Sequence, residues 1–535
     1  MKDRVSLTDF LMYHKETHPI SFHMPGHKGR STLYGIYGFG DFVKNVVGND
    51  ITEIPGADAL QQPRERIRDI MEGYAGLYGA KHTELLVNGS SAGLMASILG
   101  SVPRGGKLLM GRNSHKSVYG ALRLGGIDPV YIMPEIDGET GLQLGLDPDK
   151  IEAALIEDGD IKAVLVTSPN YYGVLSDIER IASIVHLHGR ILIVDQAHGA
   201  HLKFFDYLRS EDGLPHRAAE NCGADIVVDS THKTLLSFTG SAILNICTER
   251  PDVSRISELL RMLQTTSPSY LLMGSLDINQ QILRMDGYNL IKNWDADIKY
   301  FYEEAAQIAG LGLIDRIDLD ETKVSITMSA LGLSGPELAE ELEKRNIWVE
   351  LTHGDYVMLM TGLGNERGDY EDVLSALRDL SAHHGGRIQG VEPESSASKT
   401  EPAAQNTAQK QAKNEIQAVA KNETQVANKN ASQPVDKIAE LRTPSSDSAL
   451  IERLEQRKIP DTYEEVPLYS AEGRVLYESI IPYPPGTPIA CPGEVLSKSV
   501  ILYVRDQLVA QHVVLGVDEE GRVKVESDCV LFKEI

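Results

Sequence analysis

The chain has 535 residues, of which 42% are hydrophobic and 24% charged, and its formal net charge is −25. The length allows two or three globular domains, and the acidic balance argues against nucleic acid as a partner, because phosphate binding needs a basic surface. No apolar run approaches the roughly 18 residues of a membrane span, and the first residues lack the apolar segment of a secretory signal. We therefore expect a cytoplasmic protein with no membrane partner.

The first segment, residues 1–75, contains the stretch "SFHMPGHKGR" at positions 21–30. Its glycines and proline predict a loop. The loop is basic and carries His23 and His27, so its own spacing leaves three interpretations open: a phosphate cradle, a metal site or a surface turn.

Residues 76–275 alternate apolar runs with helical patterns such as "PDKIEAALIED" and "DIERIASIVHLHG". This alternation predicts an α/β domain with a mostly parallel, seven-stranded sheet, in which ligands bind beyond the carboxyl ends of the strands. The predicted strands are "TELLVN" (83–88), "KLLMG" (107–111), "PVYIMP" (129–134), "IKAVLVTSP" (161–169), "ILIVDQA" (191–197), "DIVVDST" (225–231) and "SAILNI" (241–246).

The first predicted strand is followed by "NGSSAG", a turn of small residues that opens a helix. Ser90, Ser91 and Ala92 stand at the helix start, where free backbone N–H groups and the helix dipole favour a phosphate. An ordinary strand-to-helix connection is the alternative interpretation.

The fifth predicted strand ends in Asp195, within "VDQAHGAHL". An acid at the end of an apolar strand either pairs with a cation or donor or caps the next helix. His198 and His201 follow three residues apart, but no further metal ligands are evident, so we predict no metal site.

The sixth predicted strand is followed by Lys233, after Ser230, Thr231 and His232. Lysine is rarely buried, and burial lowers its pKa and makes the neutral amine available as a nucleophile. A lysine that extends to the surface is the alternative.

In combination, a phosphate turn, an acid and a lysine at the strand ends of one domain match the needs of pyridoxal 5'-phosphate (PLP). This cofactor requires an imine-forming lysine, a carboxylate at its pyridine nitrogen and a phosphate cup. His115, in "NSHKS" after the second strand, adds an imidazole that could stack on the ring.

Beyond residue 275 the composition changes twice. Residues 276–391 continue the body with helical and α+β patterns, and residues 392–434 are low in aromatic and large aliphatic side chains. Such a segment cannot bury enough apolar surface to order itself, so we predict a disordered tether. Residues 435–535 then form a smaller α+β C-terminal domain.

Seven motifs occur in order: "SFHMPGHKGR", "NGSSAG", "GRNSHKSV", "VDQAHGAH", "DSTHKTL", "TTSPSY" and "PYPPGTPIACPGE". Together they resemble the Orn/Lys/Arg decarboxylase family of PLP fold type I, which is aspartate aminotransferase-like. The resemblance is to the short biosynthetic bacterial type, without the N-terminal wing domain. It implies a lyase that converts arginine, lysine or ornithine to the amine and CO2, linked to polyamine biosynthesis, and a homodimer or higher homo-oligomer.

The resemblance also implies residue roles. Lys233 would form the imine with PLP, Asp195 would pair with the pyridine nitrogen, and His232 or Lys233 would return a proton to Cα. The other cofactor contacts it implies are His115, Ala197 and His198 at the ring, Ser90, Ser91, Ala92, Ser230 and His232 at the phosphate, and Thr266 at the phosphate of a neighbouring subunit.

A basic substrate needs an acid for its distal cation, and the family pattern points to Glu494 in "CPGE". Asp50, Glu53 and Asp58 are further acids in the N-terminal segment. Two rival functions stay open at this stage. One is another fold-type-I chemistry, such as transamination or aldol cleavage, and the other is a non-catalytic PLP-binding regulator or partner.

Overall fold

The computed structural model describes residues 6–388, 454–460, 462–483, 487–509 and 512–527. The predicted tether and part of "PYPPGTP" lie outside these ranges. The strands are β1 Ile20–Phe22, β2 His82–Leu86, β3 Lys107–Gly111, β4 Asp128–Ile132, β5 Ile161–Thr167, β6 Ile191–Asp195, β7 Ile226–Asp229, β8 Ala242–Ile246, β9 Gly312–Leu313, β10 Lys323–Thr327, β11 Ile347–Val349, β12 Leu351–His353, β13 Tyr356–Met360, β14 Tyr463–Pro467, β15 Ile481–Tyr483, β16 Val513–Leu515 and β17 Arg522–Glu526.

The α-helices of the described residues alternate with these strands through the body. They are α1 Leu7–Glu16, α2 Ser31–Ile36, α3 Gly40–Lys44, α4 Val46–Asn49, α5 Arg66–Tyr78, α6 Gly89–Ser101, α7 Lys116–Gly125, α8 Pro148–Glu157, α9 Ile178–Leu187, α10 Leu202–Glu211, α11 Thr231–Thr234, α12 Val253–Leu263, α13 Tyr270–Ala305, α14 Gly335–Glu343, α15 Arg367–Ile388 and α16 Lys498–Val509.

The central sheet has seven strands in the order β2-β8-β7-β6-β5-β3-β4. Strand β8 runs antiparallel to both of its neighbours, and the other pairs are parallel. The mostly parallel, seven-stranded sheet predicted from the sequence is therefore confirmed. Strand β7 is buried along its whole length, as expected of a strand covered by helices on both faces.

A second sheet lies further along the body, antiparallel and four-stranded in the order β12-β13-β10-β9. The 36-residue helix α13 connects the two parts of the body. The N-terminal segment joins the second part through a parallel pairing of β1 with β11, in which Phe22 is opposite Val349. Phe22, Leu235 and Val357 belong to one hydrophobic core, so these segments share their packing.

The C-terminal segment pairs β14 with β17 and β15 with β16, both antiparallel, and α16 packs against β16. Its core contains Leu476, Val500 and Val525. Cys491 is buried in the core beneath the central sheet, so this segment packs directly on the body. The body and the C-terminal segment belong to one compact unit. The boundaries predicted within the body stay a prediction.

No helix in the described ranges combines the length and the apolar composition needed to cross a membrane.

Candidate active site

Lys233 lies on the single-turn helix α11, directly beyond the carboxyl end of β7. Its Nζ atom is 2.8 Å from Nε2 of His198. Desolvation lowers the pKa of Lys233 to about 8, although the charges of Asp195 and Glu350 oppose that shift. The amine is therefore far more often neutral near pH 8 than an exposed lysine would be, and it is available as a nucleophile.

Asp195 ends strand β6 and is buried, with a relative exposure of 2%. Its Oδ1 accepts a hydrogen bond of 3.2 Å from the backbone N–H of Ala197. Burial raises the pKa of this carboxyl, and the Lys233 charge counteracts that effect. The alternative interpretation of Asp195 as a helix cap is wrong, because the next helix begins at Leu202 and has His201 as its N-cap.

The small-residue turn becomes the first turn of α6, as predicted. Ser90 and Ser91 lie in this turn, and Ala92 is buried behind it. The Ser230 hydroxyl, at the end of β7, donates a 3.0 Å hydrogen bond to Oγ of Ser90. The fold thus brings together a helix N-terminus and hydroxyl groups that follow two strands of the central sheet, β2 and β7, which is a suitable environment for a phosphate.

Two further predicted histidines carry neutral rings near pH 7. His115 caps α7, and its Nδ1 accepts the backbone N–H of Ser117 at 3.2 Å. Desolvation and then the Lys233 charge lower its pKa to about 3. His232 donates from Nδ1 to the Ser241 carbonyl at 2.6 Å, and desolvation lowers its pKa to about 4.

His198 and His201 have different surroundings. Burial holds the pKa of His198 well below its ordinary value, and its Nδ1 has no hydrogen-bond partner among the described residues. His201 is fully buried and donates from Nε2 to Asp320 at 3.1 Å. Lys323 bonds both the Asp320 carboxylate and the His198 carbonyl, at 3.3 and 3.2 Å. His201 therefore belongs to a buried polar network between the two parts of the body. In the described ranges no group of three or more acidic, histidine or cysteine side chains could hold a metal ion.

Sequence reasoning missed two residues of this site, Tyr171 and Glu350. The Tyr171 ring meets the His198 ring edge-on at 4.8 Å between centroids, and its hydroxyl donates to Oε1 of Glu350 at 2.8 Å. Tyr171 follows β5 in "SPNYYG", so its place beyond a strand end was a signal that could have identified it. Glu350 carries no such local signal, because it comes from the second sheet region.

The loop "HMPGHKG" connects the lysine helix to the second part of the body. The Gly26 N–H donates to the His232 carbonyl at 2.8 Å, and the Gly26 carbonyl accepts from Gly364 N–H at 2.9 Å. Lys28 Nζ donates to the carbonyl of Met360 at 2.9 Å. The stretch therefore packs between the lysine helix and the second part of the body, with Gly26 buried next to the residue that precedes Lys233.

Glu494 has a structural partner. Arg112 donates to Oε2 of Glu494 from Nη2 at 2.8 Å and to Oε1 from Nε at 3.2 Å. The backbone N–H of Cys491 also donates to Oε2, at 2.7 Å. Both side chains of the ion pair are only 2% exposed. This pairing accounts for the buried charge without a substrate, and the predicted substrate contact of Glu494 stays a prediction.

The interactions of the remaining predicted residues, among the described ones, do not include Lys233. Thr266, Asp50 and Glu53 are exposed. Asp58 accepts backbone N–H groups at the start of α5, including that of Glu65 at 2.8 Å, and so stabilises a turn.

Comparison with known proteins decides the family. The model of the Orn/Lys/Arg decarboxylase major domain matches residues 5–311, and that of the C-terminal domain of the same family matches residues 447–516. The chain belongs to the Orn/Lys/Arg decarboxylase family. It is a PLP-dependent amino-acid decarboxylase of fold type I, so the fold class and the cofactor predicted from the sequence are confirmed.

Relatives of similar length extend the match over nearly the whole chain. An arginine decarboxylase of Bacillus subtilis is 30% identical over 519 residues, covering 95% of this chain and 94% of the relative. One of Bacillus anthracis is 29% identical over 527 residues, covering 95% and 94%. The crystal structure of the Francisella novicida lysine decarboxylase LdcF has a TM-score of 0.67 at 18% identity, covering 97% of this chain and 81% of that one.

The site of this decarboxylase fits PLP on its own chemistry. The buried Asp195 carboxylate accepts a single hydrogen bond, from Ala197, among the described residues and retains acceptor capacity for a protonated pyridine nitrogen. The orphaned Nδ1 of buried His198 requires a partner that the described residues do not supply. The Lys233 amine contacts the His198 ring at Nε2, and its charge acts to lower the pKa of Asp195. A polar ligand at this position would satisfy groups that are otherwise costly to bury.

Proposed function

We propose that this decarboxylase acts on arginine as its first substrate, with lysine and ornithine as alternatives, and releases the corresponding amine for polyamine synthesis. The observation that supports catalysis is the Lys233 amine, which desolvation brings to a pKa of about 8 beside the buried Asp195. The preference for arginine rests on the arginine decarboxylases of Bacillus, which match the chain nearly end to end.

In this proposal each predicted site residue holds one part of the cofactor. Lys233 attaches it covalently through Nζ, and Asp195 keeps the pyridine nitrogen protonated. Bound PLP supplies an electron-withdrawing ring that accepts the electron pair left on Cα when CO2 departs. The ring contacts are His115, Ala197 and His198, and the phosphate contacts are Ser90, Ser91, Ala92, Ser230 and His232.

The residues next to the reacting carbon control the proton. Lys233 Nζ and His232 are the two candidates that return a proton to Cα. Nδ1 of His232 donates to the Ser241 carbonyl, so Nε2 of its neutral ring would have to take up a proton before it could return one to Cα. His198 Nε2, 2.8 Å from Lys233 Nζ, sets the position of that amine. The rate gain would come from orientation, because the residues that fix the substrate would select which bond to Cα breaks.

A homodimer is part of the proposal. Thr266 is exposed, on the connection between α12 and α13, and an exposed hydroxyl is available to a neighbouring subunit. Sedimentation of the holoenzyme, with and without a Thr266→Ala substitution, would measure the oligomer and its dependence on the cofactor.

A substrate panel tests the function. Purified holoenzyme is incubated with arginine, lysine and ornithine separately, and CO2 and amine are measured; we expect release from arginine at the highest kcat/KM. Lys233→Ala is expected to abolish release and the visible absorbance of the lysine–cofactor link at about 420 nm. Lys323→Ala is unsuitable as a control because it breaks a buried pair, so exposed Lys150→Ala serves instead. Release from none of the three by cofactor-loaded protein would refute the proposal.

A further inference from the structure

Glu350 is a buried carboxylate without a full counter-charge. Its side chain is 1% exposed. Oε1 accepts from the Tyr171 hydroxyl at 2.8 Å, and Oε2 accepts from the backbone N–H of Met24 at 3.0 Å. Among the described residues no lysine or arginine nitrogen lies within 4.0 Å of it, and the closest basic group is Nε2 of His23 at 3.8 Å. The Glu350 charge also acts to raise the pKa of the buried Lys28, but the Lys28 ammonium donates to the carbonyls of His23 and Met360. Two neutral donors compensate a buried negative charge only in part, so the site is suited to a further cation.

This carboxylate belongs to the same site as the reacting lysine. His198 and Tyr171 are the two side chains that connect it to Lys233, through a 2.8 Å contact, a ring contact and a hydrogen bond. Desolvation is the main influence on the pKa of Lys233, and the charges of Asp195 and then Glu350 act on it in the opposite direction. Glu350 is therefore connected to the Lys233 amine through His198 and Tyr171 and does not contact that amine directly in the described residues.

The other acidic candidates are already engaged or exposed. Glu494 is paired with Arg112 through two hydrogen bonds, and Asp195 is the acid for the cofactor. Asp58 accepts backbone N–H groups, and Asp50 is exposed. By contrast, each oxygen of Glu350 retains acceptor capacity after its one hydrogen bond.

We propose that Glu350 binds the distal cation of the substrate, a primary ammonium or a guanidinium. The proposal rests on the proposed function and adds the residue that selects charge. A substrate whose α-amine takes the place of the Lys233 amine carries its cation roughly 5–7 Å further along a chain of single bonds. Tyr171 and the Met24 N–H hold the carboxylate in place, so a charge-assisted hydrogen bond forms without reorganisation of the acid.

The experiment measures how strongly the enzyme prefers a charged substrate over a neutral one of the same shape. Glu350→Gln keeps an acceptor for Tyr171 or Met24 but removes the charge. We expect kcat/KM for arginine to fall about 100-fold or more, mainly through KM, because a charged hydrogen bond is lost in a desolvated site. The preference for arginine over citrulline, its neutral isostere, should fall at least tenfold. Glu350→Asp, which keeps the charge, should retain part of the preference. Visible cofactor absorbance and melting temperature should stay within the wild-type range for both variants.

The control variant is exposed Glu135→Gln, which removes a surface negative charge and should keep the wild-type ratio of arginine to citrulline. Glu494→Gln tests the rival acid and is judged by the same ratio and not by total activity, because it also opens the buried pair with Arg112. A wild-type ratio in Glu350→Gln, or a loss of the ratio in Glu494→Gln alone, would overturn the proposal.

A binding measurement separates this proposal from the proposed function. The decarboxylated amine of arginine is titrated into holoenzyme and followed by cofactor absorbance, which needs no turnover. If Glu350→Gln weakens this binding at least tenfold, the result supports the cation site even if the wild-type protein releases no CO2. Equal binding by both proteins, or none by wild type, refutes it.

Discussion

The buried ion pair between Arg112 and Glu494 is predicted to be a main attachment between the C-terminal segment and the body. Arg112 also donates to the carbonyl of Pro488 at 2.7 Å and to the Tyr119 hydroxyl at 3.0 Å. The Tyr119 and Tyr131 rings each lie 5.6 Å from its guanidinium carbon, so the group is enclosed on all sides by protein.

Removing one partner from such a pair leaves an uncompensated buried charge and lowers the free energy of unfolding by about 3–5 kcal/mol. Arg112→Met leaves Glu494 with only the Cys491 N–H, so we expect the upper part of that range. Glu494→Gln is milder, about 2–3 kcal/mol, because the amide oxygen still accepts one hydrogen bond. In the double variant no charge is left unpaired, so its cost should be below the sum of the single costs by about 2 kcal/mol.

Equilibrium urea unfolding of the four proteins, followed by circular dichroism, gives the double-mutant cycle. Exposed Arg180→Met and Asp149→Asn form a control cycle, since a surface ion pair contributes about 1 kcal/mol or less. Single costs below about 1 kcal/mol at the buried pair, or strictly additive costs, would refute the reasoning about burial.

Two further outcomes are expected. Gly26→Ala places a Cβ in steric conflict with the Leu235 carbonyl oxygen, so it should displace the loop from the lysine helix and lower PLP affinity at least tenfold by equilibrium dialysis. Gly35→Ala, with nothing within 4 Å, should leave affinity unchanged, and equal affinities in both variants would contradict the assignment. Covalent attachment of PLP to apo-protein requires neutral Lys233, whose folded pKa is lowered to about 8. The attachment rate, followed by stopped-flow absorbance, should therefore rise with pH up to about 8 and then level off. A tenfold rise per pH unit that continued above pH 9 would indicate an ordinary lysine pKa.

The strand pattern could be predicted because its signal is local. Residues 161–167 are a nearly continuous apolar run, and such a run indicates a strand covered on both faces wherever the rest of the chain lies. The places of Asp195 and Lys233 followed from the same pattern, since the carboxyl ends of parallel strands meet at one edge of the sheet. Their chemistry, an acid and an amine at that edge, was therefore accessible from residue order alone.

The pairing of distant charges depended on the tertiary structure. Glu350 meets Tyr171 across 179 positions and Met24 across 326, and Arg112 meets Glu494 across 382. No periodicity extends over such separations, because these contacts form only when separate elements pack together. The sequence by itself thus determined the fold class and the cofactor, and it predicted the lysine. Only packing decided which buried acid pairs with an arginine and which one accepts a hydrogen bond from Tyr171 near Lys233.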